Sequence, residues 1–154
     1  MSTRLTLAVS VQNHAGRKGV PVARSFELWV RAALAGRRTG RIEVGIALFR
    51  EAEARRLNRD YRGKDYATNV LSFPYANVRG ERSAMLGDLA ICPAVVAREA
   101  REQGKPARDH FAHLTVHGTL HLVGYDHENG RDAEHMEAIE RRVLAGLGIP
   151  NPYE

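Results

Sequence analysis

The chain has 154 residues, which suits one domain with a sizeable core. Hydrophobic residues at 44%, placed with clear periodicity, exclude a disordered chain, and no apolar run is long enough to span a bilayer. Lys and Arg number 23 against 18 Asp and Glu, a formal +5, which favours polyanionic partners, nucleic acid above all, or an anionic membrane surface.

The first residues lack the basic start and long apolar core of a signal peptide, so a cytoplasmic protein is expected. Leu5, Leu7, Val9 and Val11 then alternate with Arg4, Thr6, Ser10 and Gln12, the pattern of a half-buried strand. After a polar turn, Pro21 is placed as a first helical residue. Val22, Phe26, Trp29, Val30, Ala33 and Leu34 form the apolar stripe of that helix, and Gly36 stops it. Trp29 reads as core. Arg37, Arg38 and Arg41 make a basic turn around Gly40, read as solvated surface with phosphate contact as the lesser reading.

Ile42, Val44, Ile46 and Leu48 predict a second strand, and the helix formers from Glu51 to Asn58 a second helix. Arg55, Arg56 and Arg59 lie on it or at its end. Tyr61-Arg-Gly-Lys-Asp-Tyr66 reads as a charged, aromatic turn. A strand from Asn69 to Phe73 follows, which Pro74 ends or places at an edge. Tyr75 to Ser83 reads as a polar loop. Leu86 to Cys92 is a fourth strand, and the single cysteine within it reads as a buried, inert thiol of a reducing compartment. Pro93 opens a helix that runs to Gln103 and stops at Gly104. The next begins after Pro106 and is apolar on most sides between Phe111 and Val123, so it is buried. After a loop from Gly124 to Arg131, Asp132 caps a last helix with Met136, Ile139, Val143, Leu144 and Leu147 on its inner face. The result is one α+β domain over 1–154, a small mixed sheet of about four strands packed with about five helices.

The buried helix carries the chemistry, in the run His117-Gly-Thr-Leu-His121-Leu-Val-Gly124-Tyr-Asp-His127. Two histidines four apart share one helical face and can grip one ion. Gly124 tolerates the left-handed conformation that ends a helix, and a reversal there swings His127 towards the other two. Three imidazoles with an open fourth position are the ligand set of a catalytic zinc. The spacing is also that of a metzincin peptidase, but Gly118 stands where that motif needs its glutamate base. His113, one turn earlier, is read as a neighbour of the site.

Zinc can deliver hydroxide to a carbonyl or to phosphorus, and the metal alone does not choose. Arg62, beside Lys64, suits phosphate oxygens, or else pairs with Asp60 or Asp65 to hold its turn. Tyr61 and Tyr66 could stack on unpaired bases. Asp126 and Glu128 are candidates for a general base, or for orienting an imidazole from behind. An RNA phosphodiester could be cut by metal-activated water or by its own 2′-hydroxyl.

The run from Ala112 to His127 resembles the signature of the YbeY family of bacterial endoribonucleases, H-G-x-L-H-L-x-G-Y-D-H. The block from Leu57 to Pro74 and the segment Leu86-Gly-Asp-Leu-Ala-Ile-Cys92 resemble two further family blocks. The likeness extends from about Ile42 to the last helix. It implies an α+β fold related to the zinc metalloproteases and one Zn2+ held by His117, His121 and His127. It places the family's functionally important arginine on Arg62, which favours phosphate over the local ion pair. The function it implies is endonucleolytic cleavage of single-stranded RNA in ribosomal RNA maturation, at the 3′ end of the small-subunit 16S RNA, and in ribosome quality control. Single-stranded RNA, rRNA and the small ribosomal subunit are the expected partners, with no membrane and no DNA. The alternatives are a metal-dependent hydrolase of a peptide or small amide, and a non-catalytic ribosome assembly factor with a structural zinc.

Overall fold

A computed structural model describes residues 4–75, 84–126 and 128–154. Its elements are β1 (Leu5–Asn13), α1 (Ala23–Leu34), β2 (Gly40–Leu48), α2 (Glu51–Arg62), β3 (Val70–Pro74), β4 (Met85–Ile91), α3 (Pro93–Glu102), α4 (Ala107–Leu122) and α5 (Gly130–Gly146). The four strands form one mixed sheet in the order β1-β2-β4-β3. β1, β2 and β4 run parallel, and β3 pairs antiparallel to β4 at the edge. An edge position tolerates the missing N–H of Pro74. The sheet and five helices make a single α+β domain, as the periodicity predicts.

Three local boundaries differ from those the sequence predicts. Pro21 precedes the first helix, which starts at Ala23 after the extended residue Val22. Arg62 is the last residue of α2 and does not lie in a turn. Glu51 and Glu53 in the first turn and Arg59 and Arg62 in the last complement the helix dipole, and Gly63 closes the helix at φ 72°. Asn129, and not Asp132, is the N-cap of α5: its side-chain oxygen accepts from the Asp132 N–H at 2.9 Å, and its amide donates to the Asp132 carboxylate at 2.8 Å. The predicted polar loop falls largely in 76–83, outside the described residues.

The core lies between the sheet and the pair α1 and α4. Phe26 meets Trp29 and Phe111 edge-on, with ring centroids 5.4 and 6.1 Å apart, and all three are buried. α4 is buried along most of its length, and its interior threonines, Thr115 and Thr119, satisfy their hydroxyls on the carbonyls four residues back. It crosses β3 and β4 so closely that a Cβ at Gly118 would lie 2.9 Å from Leu89 Cδ2 and 3.2 Å from Ser72 Oγ. Ser72 uses that approach to donate to the Gly118 carbonyl at 3.1 Å. Cys92 is buried, and burial raises its thiol pKa, which keeps it protonated and inert. Among the described residues, no helix is long and apolar enough to cross a membrane.

Candidate metal centre and cleft

A cleft of about 550 Å³ runs along the edge strand β3, with Tyr61 and Arg62 from α2 on one side and His117 and His121 from α4 on the other. The i,i+4 spacing puts the two imidazoles on one face, with His121 Nε2 3.2 Å from His117 Nε2. Zinc–nitrogen bonds of about 2.0–2.1 Å place two tetrahedral ligands about 3.3–3.4 Å apart, so this pair fits the same ion. Gly124 takes φ 100°, and the chain folds back with the Gly124 N–H on the His121 carbonyl at 3.0 Å and that of Tyr125 on Leu120 at 3.1 Å. The reversal expected at this glycine is therefore present, while His127 itself lies outside the described residues.

Behind His117 stands a residue that no sequence motif singles out. Glu140 of α5 is fully buried and accepts a hydrogen bond from His117 Nδ1. Its other oxygen accepts from the Tyr153 hydroxyl and lies 3.6 Å from His113 Nε2. Burial alone would raise the Glu140 pKa, but the groups of His113, His117 and Tyr153 that face it outweigh burial and hold it down at about 2. An ionised carboxylate only accepts, so the proton of a neutral His117 sits on Nδ1 and its Nε2 lone pair faces His121. The carboxylate thus fixes the tautomer and ring orientation a metal ligand needs. His113, His117 and Glu140 also bring ligand atoms within 4.8 Å of one another, a group able to hold a metal ion. His113 is a neighbour of the pair, its Nε2 3.3 Å from the Tyr153 hydroxyl.

The local ion-pair role considered for Arg62 is filled by other residues. Asp65 is held by Arg55 through two bonds of 2.8 and 2.9 Å, with Arg59 at 3.9 Å, and Asp60 lies 3.6 Å from Arg59. Among the described residues Arg62 forms no ion pair, and it is exposed at the cleft. Tyr61 is also exposed there, its ring 4.5 Å from that of Phe73, while Tyr66 is exposed nearby on the chain. Asp126 and Glu128 line the cleft beside the histidines. The crowding at Gly118 leaves no space for the peptidase glutamate, which is a packing reason for the glycine.

A buried helix that presents paired imidazoles to a cleft also lined by Arg62, Asp126 and Glu128 makes a centre able to hold a metal ion. The family model for Endoribonuclease YbeY matches residues 11–148. Endoribonuclease YbeY of Alkalilimnicola ehrlichii is 58% identical over 90% of this chain and 86% of its own length. That of Aromatoleum aromaticum is 55% identical over 96% of this chain and 92% of its own. The solution structure of TM1509 from Thermotoga maritima is similar with a TM-score of 0.61 and 25% identity, covering 92% of each chain. The chain belongs to the YbeY endoribonuclease family.

Proposed function

We propose that this chain is a single-domain, zinc-dependent endoribonuclease of single-stranded RNA. Its work is maturation of the 3′ end of small-subunit ribosomal RNA and ribosome quality control, in the cytoplasm and at the small subunit. His117, His121 and His127 hold one zinc ion, and Arg62 is the catalytic arginine. The observation that carries the reading is the 3.2 Å convergence of the His117 and His121 Nε2 atoms on a cleft that also presents Arg62. Family membership supplies the substrate class.

Bound there, zinc supplies a Lewis acid for a phosphoryl oxygen and lowers the pKa of water to about 7. The protein's own groups do the rest. Glu140 keeps the His117 Nε2 lone pair aimed into the cleft. The Arg62 guanidinium holds the scissile phosphate in its planar fork and offsets the charge that builds on its oxygens. The exposed Tyr61 ring, braced on Phe73, takes an unpaired base by stacking, which a duplex cannot offer. Asp126 and Glu128 are the carboxylates placed to take a proton from the attacking hydroxyl.

The test is cleavage of a short single-stranded RNA by the wild type and His121→Ala, purified side by side with zinc quantified. Loss of both zinc and cleavage in the variant supports the reading. Equal cleavage by both proteins assigns the activity to a contaminant and leaves an assembly factor with a structural ion. A matching strand with 2′-deoxy riboses, shown to bind, separates attack by the 2′-hydroxyl from attack by water.

A further inference from the structure

We infer that the arginines at the C-terminal end of α1 form a second phosphate-binding surface, which holds the backbone of the same RNA strand beyond the cleft. The inference rests on the ribonuclease reading above. Arg31 in the last turn of α1, Arg37 and Arg38 just after it, and Arg4 and Thr39 ahead of β1 and β2 line a hollow of about 450 Å³ with no carboxylate in its lining.

What separates these arginines from the others is what they are bound to. On α2, Arg55, Arg56 and Arg59 each lie against a carboxylate, so their charge is largely spent locally. Arg37 instead donates to the carbonyls of Ala33 and Ala35, at 3.4 and 3.3 Å, and Arg38 to those of Arg37 and Val123, at 2.8 and 3.2 Å. Among the described residues neither forms an ion pair. Carbonyls position a guanidinium and leave its net charge in place. Less side-chain freedom is then given up when a phosphate arrives. Arg31 does have an acidic partner, Glu27 at 3.2 Å, but that pair is half exposed and easily exchanged.

Arg38 also ties the hollow to the end of the helix that carries the histidines. Val123, which accepts from Arg38, is two residues beyond His121 at the end of α4. β1, β2 and β4 all begin at this end of the sheet, and the antiparallel β3 finishes there with Pro74, a wall of the cleft. Arg62 lines the same cleft, its neighbour Tyr61 packed on Phe73 of β3. From β3 to β1 is three strand spacings, about 14 Å, a reach of a few nucleotides. A strand held by Arg62, passing the histidines and leaving by Pro74, runs towards Arg38 and Arg31.

The experiment compares binding of single-stranded RNA of about five nucleotides, enough for the cleft, with one of about fifteen, by wild type and Arg31→Gln/Arg38→Gln across a salt series. The double variant is expected to bind the long strand about tenfold more weakly and the short strand unchanged. For the long strand, its slope of log K against log salt should be smaller by about 0.7 for each phosphate it no longer neutralises. Because Arg38 braces the end of α4, Arg31→Gln alone is measured as well, and it should lower the slope by about 0.7. Unchanged long-strand affinity and slope in folded variants overturn the inference while the ribonuclease reading stands. Failure of the wild type to bind either strand overturns both.

Discussion

Glu140 on α5 holds the Nδ1 edge of His117 on α4, so a buried carboxylate from one helix sets the direction of the Nε2 that meets His121 on another. Glu140→Gln keeps an oxygen that can accept from Nδ1 and removes the charge. Metal affinity is expected to fall about 10- to 100-fold, the usual cost of losing such a support, with the helices retained. A competition titration against a chromogenic chelator measures it. Wild-type affinity in a variant that folds normally would remove Glu140 from the site.

Tyr153 donates to the same carboxylate from the segment after α5. Burial, then the hydrogen bond to Glu140 and its charge, raise the Tyr153 pKa, so its hydroxyl stays a donor. Tyr153→Phe removes one hydrogen bond to a charged acceptor and should cost about 1.5–3 kcal/mol, read from denaturant midpoints. Metal affinity should fall less than in Glu140→Gln, since His117 keeps its partner. The reverse order would make Tyr153 the main support.

How much of this was legible in the sequence depended on whether a signal was local. The shared face of His117 and His121 follows from helical spacing, and the reversal at Gly124 from the one residue free to take φ 100°. Glu140 is not local in that sense. It lies one turn from both Met136 and Leu144, on a face legible only as apolar, and its partners sit on another helix and near the C-terminus. The available signal was a carboxylate set within a buried stripe, which must find donors there. The helical position of Arg62 is not legible because Arg59, Asp60, Tyr61 and Arg62 carry no apolar period, and the Gly63 closure that extends α2 through them is a backbone feature. Asp132 and Asn129 are both capping types, and only the extended backbone of Asn129 decides between them.

Arg62→Glu should abolish RNA cleavage and leave zinc content unchanged. Arg62 makes no ion pair among the described residues, but a carboxylate in the last turn of α2 opposes the helix dipole, so stability should fall by about 1 kcal/mol. Metal analysis, thermal melting and a cleavage assay on one preparation check the three parts together. Retained cleavage would take Arg62 out of the mechanism.

Gly118→Glu restores the peptidase motif on paper. Its Cβ would begin 2.9 Å from Leu89 and 3.2 Å from Ser72, between α4 and the sheet. The expected result is destabilisation of about 1–3 kcal/mol or more from overpacking, with no peptidase activity. Differential scanning calorimetry and a peptide-cleavage assay decide it. A stable variant that hydrolyses peptides would show that the sheet can move aside.

His110 predicts an acid-side loss of stability. It is buried on α4, its Nε2 2.8 Å from Glu99 Oε1, which also accepts from Asn69 at 3.0 Å. Burial lowers its pKa below the usual imidazole value; the Glu99 hydrogen bond opposes that, while Lys105 and His113 add to it. The unfolded chain therefore takes up this proton first, at about pH 6.5. Stability is full above that value and is lost as the pH falls through it, until the folded protein is protonated too. His110→Gln keeps a donor for Glu99 and cannot charge, so between about pH 7 and 5 it should lose less stability than the wild type. Denaturant midpoints at a series of pH values give both curves. Parallel curves would mean that His110 gains its proton as readily in the folded protein as in the unfolded chain.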